Sequence, residues 1–576
     1  MGTQALRRSN LITHPTRLVA TVALLCLTLV TSAVSAQPKE QRLGAAVAPL
    51  RLVPTGDTPL SVHGLHRYYG SIEIGSASDG LTVSNRLPLE RYLLGLAEVP
   101  LSWPDEALKA QAVAARTYAL FTLAQPAGGS AAIYGFDICA SIDCQVYSGA
   151  DVAAGPAGFR WRSAVESTAG QAVLYGGQPI LARYHSTSGG VTLDNPQAFP
   201  EEGAYPYLRG VPSTTERGSP LYRWATEFTI SHMQELAARS GFWPEGNGKL
   251  LEVRSRPSSA GFHYPDLVFR SKRGTVVRTA EEVRDAFRDL APQVYPSLYP
   301  GPAPTAGGTL PETFPSNRID VFTARRTVRV IGRGWGHGVG MSQWGAHGLA
   351  LRGASYVDIL THYYTGVQVG PVEDPGPLEV GLDWAESSVT VSGEFSIVDG
   401  RGKTLVKDAL GTWDFDHAGA GVVNIDPPQG YGLPLQVGLV GAPERVQVGE
   451  PAYLTVALSR PAKVRTLTSA ATGYDDPGAR VAAAGRRRIV WLAPLEPGVF
   501  DIRVEATAGG RRSRTDPVRI RVAEATARGQ DADDVAEGDR RTADPARFPF
   551  LVLGAVGIAI VIGGYLSSRA ARRRLE

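Results

Sequence analysis

The sequence predicts an α+β domain, followed by a β-rich module of immunoglobulin-like sandwich type and a single C-terminal transmembrane helix. Three observations carry that expectation. Over residues 60–370, segments with a two-residue apolar period alternate with segments of helical period. Residues 433–523 give several short strands, with turns at regular spacing and almost no helix signal. Residues 548–566 form an uncharged apolar run just long enough to span a bilayer.

The two ends set the expected compartment. Arg7, Arg8 and Arg17 precede an apolar run, and Val34 and Ala36 satisfy the small-residue rule for cleavage, so residues 1–36 read as a secretory signal. Arg569, Arg572, Arg573 and Arg574 follow the C-terminal apolar run, and basic flanks stay on the cytoplasmic side. The expectation is a cell-membrane protein with one span, an extracytoplasmic body and a basic cytoplasmic tail over residues 567–576. Between body and span, residues 524–546, with Asp531, Asp533 and Asp534, are too acidic to form a core and read as a tether. Export also bears on the cysteines. Cys26 lies in the signal, while Cys139 and Cys144 remain as a close pair for which an oxidising exterior favours a disulfide. The net charge is only +3, without a basic helix or aromatic–basic motif, so nucleic acid is not an expected partner.

Within the body, residues 68–74 and 81–84 alternate as strands, and a short helix is expected near 91–94. A second helix is well signalled by Pro104 in the first turn, with Asp105 and Glu106 complementing the positive helix end. Its stripe of Leu108, Ala112, Ala115 and Ala119 lets it approach a neighbour closely. A helix over 150–167, strands over 172–175 and 179–182 and a turn-rich run at 185–190 follow. Residues 220–315 read as an insertion. Strands at 318–321 and 327–331 then lead through a glycine-rich run into a helix near Ser342, and residues 376–428 read as a separate small β module.

Few residues are placed to do chemistry. Glu98 sits among Leu96, Ala97, Val99 and Pro100, a setting that disfavours its charged form and raises its pKa. A carboxyl that keeps its proton near neutral pH can hand it to a leaving oxygen. An ordinary exposed glutamate at a helix start is the alternative on pattern alone. The glycine-rich run 334–340 is not a phosphate loop, because no Gly-Lys-Ser/Thr follows it. His337, His347 and His362 have a spacing that matches no common metal site. Trp335 and Trp344 offer flat faces on which sugars stack, or pack in the core.

Four runs occur in order: Tyr92-Leu93-Leu94-Gly95-Leu96-Ala97-Glu98-Val99-Pro100 with its following helix, Cys144-Gln145-Val146-Tyr147, His185-Ser186-Thr187-Ser188-Gly189-Gly190, and Gly334-Trp335-Gly336-His337-Gly338-Val339-Gly340-Met341-Ser342-Gln343-Trp344-Gly345 with the stretch through Tyr363. Together they resemble the stage II sporulation protein D family, also called the amidase-enhancer LytB domain, over roughly residues 60–370. The resemblance implies a peptidoglycan lytic transglycosylase in sporulation or wall remodelling, with Glu98 as catalytic acid/base. Such an enzyme cleaves glycan strands to 1,6-anhydro-muramic ends and needs one carboxylate, where ordinary glycosidases need two. The family often has methionine where this chain has Val99.

Substrate contacts are expected from Gln111, Arg116 and Tyr118 on the helix after Glu98, from Ser186, Thr187 and Ser188, and from His337, Ser342, Gln343 and Tyr363. Arg116 could pair with Glu98, orient a sugar, or form a plain helix salt bridge. Some family members hold zinc near the cysteine pair with histidines. Here no histidine lies between His66 and His185, and Asp137 or Asp143 would have to complete the shell, so a disulfide is favoured over zinc and no cofactor is expected. The family's other name implies a second reading: a non-catalytic wall-binding module that stimulates an amidase.

Overall fold

A computed structural model describes residues 43–259, 263–298, 314–468 and 478–524. The expected signal, nearly all of the acidic tether, the C-terminal apolar run and the basic tail lie outside the described residues.

Strands dominate. The largest sheet has eleven strands, with Gly44–Val47 at one end and Ile138–Cys139 at the other. Its middle interleaves distant parts of the chain: Leu50–Pro54 pairs antiparallel with Ser388–Val398, and Leu81–Pro88 with Pro377–Glu386. The strands of 376–428 are therefore not a module of their own, which corrects the expectation. Alternating apolar residues identify a strand, but its partner depends on which unpaired backbone edge it meets, and here that edge lies about 300 residues away in sequence.

The helix Asp105–Leu123 runs between two cores. Leu108, Ala112, Ala115 and Ala119 face the core of the large sheet, whereas Ala110, Val113 and Ala114 face a second core built from residues 173–367. That dual contact explains why the helix is small and apolar nearly all round. In the second core, Trp224–Thr229 pairs with Thr327–Gly332, so the insertion is stitched into the domain at its base. The rest of it contributes the strands Glu252–Arg256, Asp266–Arg270 and Thr275–Thr279 and the helices Ile230–Arg239 and Ala280–Val294. A third core joins a three-stranded and a six-stranded sheet over residues 437–523, with Leu454 and Val456 meeting Val464, Ile502 and Val504.

The expected fold class and location also need correction at the membrane. Among the described residues no helix is long and apolar enough to cross a bilayer. The longest, Asp105–Leu123, carries Asp105, Glu106, Lys109 and Arg116, and charges of this kind are expensive in hydrocarbon. The architecture is β-rich, without a described spanning helix, and the single-pass membrane location is withdrawn.

Trp161, on the helix Gly155–Ser167, is fully buried, and its indole N–H donates to the Leu93 carbonyl at 3.0 Å. It thereby fixes the helix Leu89–Leu94 that precedes Glu98. Trp161→Ala is expected to lose about 3–5 kcal/mol of stability in chemical denaturation. An unchanged midpoint would show that this helix contributes little to the core.

Candidate active site

Glu98 reaches its position through a forced turn. The helix Leu89–Leu94 ends at Gly95, where a Cβ would run into the Tyr147 ring, so only glycine lets the two segments touch. Leu96 then bridges Tyr147, and the Ala97 N–H donates to the Val146 carbonyl at 2.9 Å. This lays residues 96–98 beside 145–147. In return the Val146 N–H donates to Glu98 Oε1 at 2.7 Å, and the Tyr184 hydroxyl lies 3.1 Å from the same oxygen. Tyr184 comes from a third segment, Tyr184–His185, paired in parallel with Met341–Ser342. Two of the four sequence runs thus meet at one carboxyl, joined there by Tyr184, which immediately precedes the third run and pairs with Met341 of the fourth.

Burial pushes the Glu98 carboxyl up to about 7, against the downward pull of the two hydrogen bonds. The residue retains some surface exposure, so the group is sheltered but reachable. Gln145, fully buried, lies beside it, with its amide contacting the hydroxyls of Tyr92 and Tyr184 and the Ala115 carbonyl. Just before it, Cys139 and Cys144 are joined by a disulfide, with Cα atoms 5.4 Å apart. Among the described residues no group of three or more His, Cys, Asp and Glu side chains is arranged to hold a metal.

The other expected residues divide. Gln111 and Gln343 are both buried, and the Gln343 amide donates to Gln111 Oε1 at 3.3 Å, tying the long helix to the helix Gln343–Ala350. Tyr118 sets its ring edge-on to Tyr184 at 6.4 Å. His337 Nδ1 accepts from the Val339 N–H, which leaves Nε2 to donate to the Tyr184 carbonyl at 2.9 Å. Burial holds its pKa well below the ordinary histidine value, so it is a neutral brace behind Tyr184. Ser186 offers its carbonyl to the Trp344 N–H, and Thr187 is buried against Trp335. Trp344 packs on Trp103 and His347, with centroids 5.1 and 5.4 Å away.

Arg116 lies elsewhere. It is completely buried, and its guanidinium grips Glu90 through two bonds of 2.7 Å, with further donors on the carbonyls of Gln171 and Val165. No pairing with Glu98 exists, and the salt-bridge alternative describes it. Ser188, Ser342 and Tyr363 belong to a different centre, the buried Glu216. Its carboxylate accepts from the Ser188 N–H and hydroxyl, the Gly190 N–H and the hydroxyls of Ser213 and Ser342, and Ser213 in turn meets the Tyr363 hydroxyl at 2.8 Å. Burial raises its pKa, but these donors outweigh burial and hold it below the usual carboxylate range. Sequence reading missed Glu216 because a glutamate in a polar turn reads as solvated. It missed Gln145 and Tyr184 as well, although Gln145 stands inside a quoted run.

Because Glu98 titrates higher when folded, it stays protonated in the native state while the unfolded chain releases the proton. Its contribution to stability is therefore full below about pH 4.5 and is lost as pH rises through about 7. Glu98→Gln, which cannot ionise, should be about 3 kcal/mol more stable than wild type at pH 8 and equal to it at pH 4, by denaturant unfolding at both values. Equal stabilities at both would show an unshifted carboxyl.

Residues 77–175, which contain Glu98, the long helix and the disulfide loop, match the family model SpoIID, Stage II sporulation protein. Over 298 residues the chain is 28% identical to Stage II sporulation protein D of Bacillus subtilis, covering 50% of this chain and 76% of that one. An uncharacterized protein of Brachyspira hyodysenteriae is 28% identical over 340 residues, covering 57% of this chain and 80% of that one. The Amidase enhancer of Bacillus subtilis is 30% identical over 300 residues, 47% of this chain and 38% of its own length. This part of the chain matches the SpoIID family model and is similar, at modest identity, to proteins named Stage II sporulation protein D and Amidase enhancer.

Proposed function

We propose that this protein cleaves the glycan strands of peptidoglycan by lytic transglycosylation, with Glu98 as sole acid/base. The observation that carries the reading is the state of that carboxyl: burial, not a neighbouring carboxylate, raises it to about 7. A hydrolase of the two-carboxylate kind needs a second, ionised carboxylate to activate water or attack carbon. A single carboxyl poised near neutrality fits a reaction whose nucleophile is the sugar's own C6 hydroxyl.

In that reaction Glu98 donates its proton to the bridging oxygen as the C1–O bond breaks, and the electron pair leaves with the oxygen. The C6 oxygen bonds to C1, and its proton passes to the Glu98 carboxylate, which regenerates the acid without consuming water. Tyr118, whose ring meets that of Tyr184, and the linked pair Gln111 and Gln343 are the candidate sugar contacts, with His337 behind Tyr184.

A second reading follows from the relative named Amidase enhancer: a wall-binding module that stimulates an amidase without chemistry of its own. Digestion of purified glycan by the protein, read by mass spectrometry, separates the two. Wild type should release anhydro-muramic ends, and Glu98→Gln should reduce them at least 100-fold. Stimulation of an amidase that survives Glu98→Gln, with no anhydro ends from wild type, would overturn the enzymatic reading in favour of the second.

A further inference from the structure

We propose that Gln145 and Tyr184 determine which oxygen of Glu98 carries its proton, reserving Oε2 as the oxygen that gives and takes it. The inference deepens the reading of Glu98 as acid/base and rests on it. Neither residue touches substrate in this scheme. Both are positioning residues.

The argument starts at a group whose role cannot vary. The Ala115 carbonyl, in the middle of the long helix, only accepts, so the Gln145 atom 3.2 Å from it is the amide nitrogen. The flipped amide would set two acceptors against each other. With the amide fixed, its oxygen accepts from the Tyr92 hydroxyl at 2.9 Å. Its second N–H points at the Tyr184 oxygen, 2.9 Å away. Tyr184 therefore accepts from Gln145, and its own O–H is directed to Glu98 Oε1 at 3.1 Å.

Oε1 also receives the Val146 N–H at 2.7 Å, a backbone donor that cannot reverse. Two donors converge on one oxygen, and a proton placed there would have to displace one of them. Among the described residues no donor reaches Oε2. The acid proton sits on Oε2, and the same atom recovers a proton from the C6 hydroxyl while Oε1 keeps both bonds throughout. The network therefore does not rearrange during turnover, which is what a preorganised site requires. The titratable groups facing the carboxyl are Tyr92, Tyr118 and Tyr184, all phenols that burial keeps protonated.

The test uses the full-length protein and follows the Glu98 carboxyl directly, by infrared difference spectra against Glu98→Gln across pH. Tyr184→Phe keeps the ring and removes one donor to the ionised form, so the Glu98 midpoint should rise by about one pH unit. Gln145→Leu should move it in the same direction by a smaller amount, because the Tyr184 hydroxyl is then free to rotate away. In glycan digestion both variants should lower kcat about 10-fold with KM little changed, and the alkaline limb of the Tyr184→Phe profile should follow the new midpoint. A midpoint unmoved in both variants, with melting temperatures near wild type, overturns the proposal even if wild type releases anhydro ends. A moved midpoint supports the proton placement even where no anhydro ends form, a result that would count instead against the transglycosylase reading.

Discussion

Enclosing one carboxyl without giving it a counter-charge places demands on everything around it. Glu98 must lose enough water to hold its proton, yet keep enough donors to stand still in both protonation states. Donors from a cation would drive the group to ionise, and no donor at all would let it wander. The site uses a backbone N–H from Val146, just past the disulfide loop, and a phenol from the strand at residue 184. Both are neutral, so the upward shift survives them. Segments separated by nearly ninety residues must then meet within hydrogen-bond distance, which is what the large sheet, the Gly95 turn and the braced 139–144 loop achieve together.

Glu216 supplies an internal comparison. It is more deeply buried than Glu98, yet it is held on the ionised side. The difference lies in the number of donors. Five N–H and O–H groups converge on Glu216, from Ser188, Gly190, Ser213 and Ser342, against two on Glu98. Burial alone does not set the state of a carboxyl, and the donors that accompany it decide the sign. The two roles follow. A carboxylate saturated with donors has nothing left to offer a substrate, and it serves as a hub joining the 185–190 turn to the Ser342 helix cap. A carboxyl with one oxygen unoccupied can react.

Much of the site could be read from the sequence, because the reasons were local. The apolar neighbours of Glu98 gave the direction of its shift, and the acidic first turn and small-residue stripe gave the helix Asp105–Leu123. What escaped was set by long-range pairing. Arg116 is one turn from residues that line the site, but a helix places neighbours in sequence on different faces, and its face meets Glu90. The strands of 376–428 looked self-sufficient because alternation carries no information about partners. Glu216 gave no signal at all, since five donors from four residues, three of them distant in sequence, cannot be inferred from one polar turn.

The alanines of the long helix show why local and long-range requirements coincide here. An alanine face lets a strand or loop approach until side chains from beyond it touch the helix backbone itself. At Ala115 that approach lets the Gln145 amide reach a main-chain carbonyl within the helix, an acceptor no larger residue would expose so readily. At Gln111, one turn earlier, the same close packing brings the Gln343 amide within reach. The helix therefore supplies rigid reference points to the site while contributing no reactive group, and because its alanines belong to the two cores, enlarging them would disturb core packing and the contact at Gln145 together. The orientation of the acid is in this sense written in residues that have no chemistry of their own.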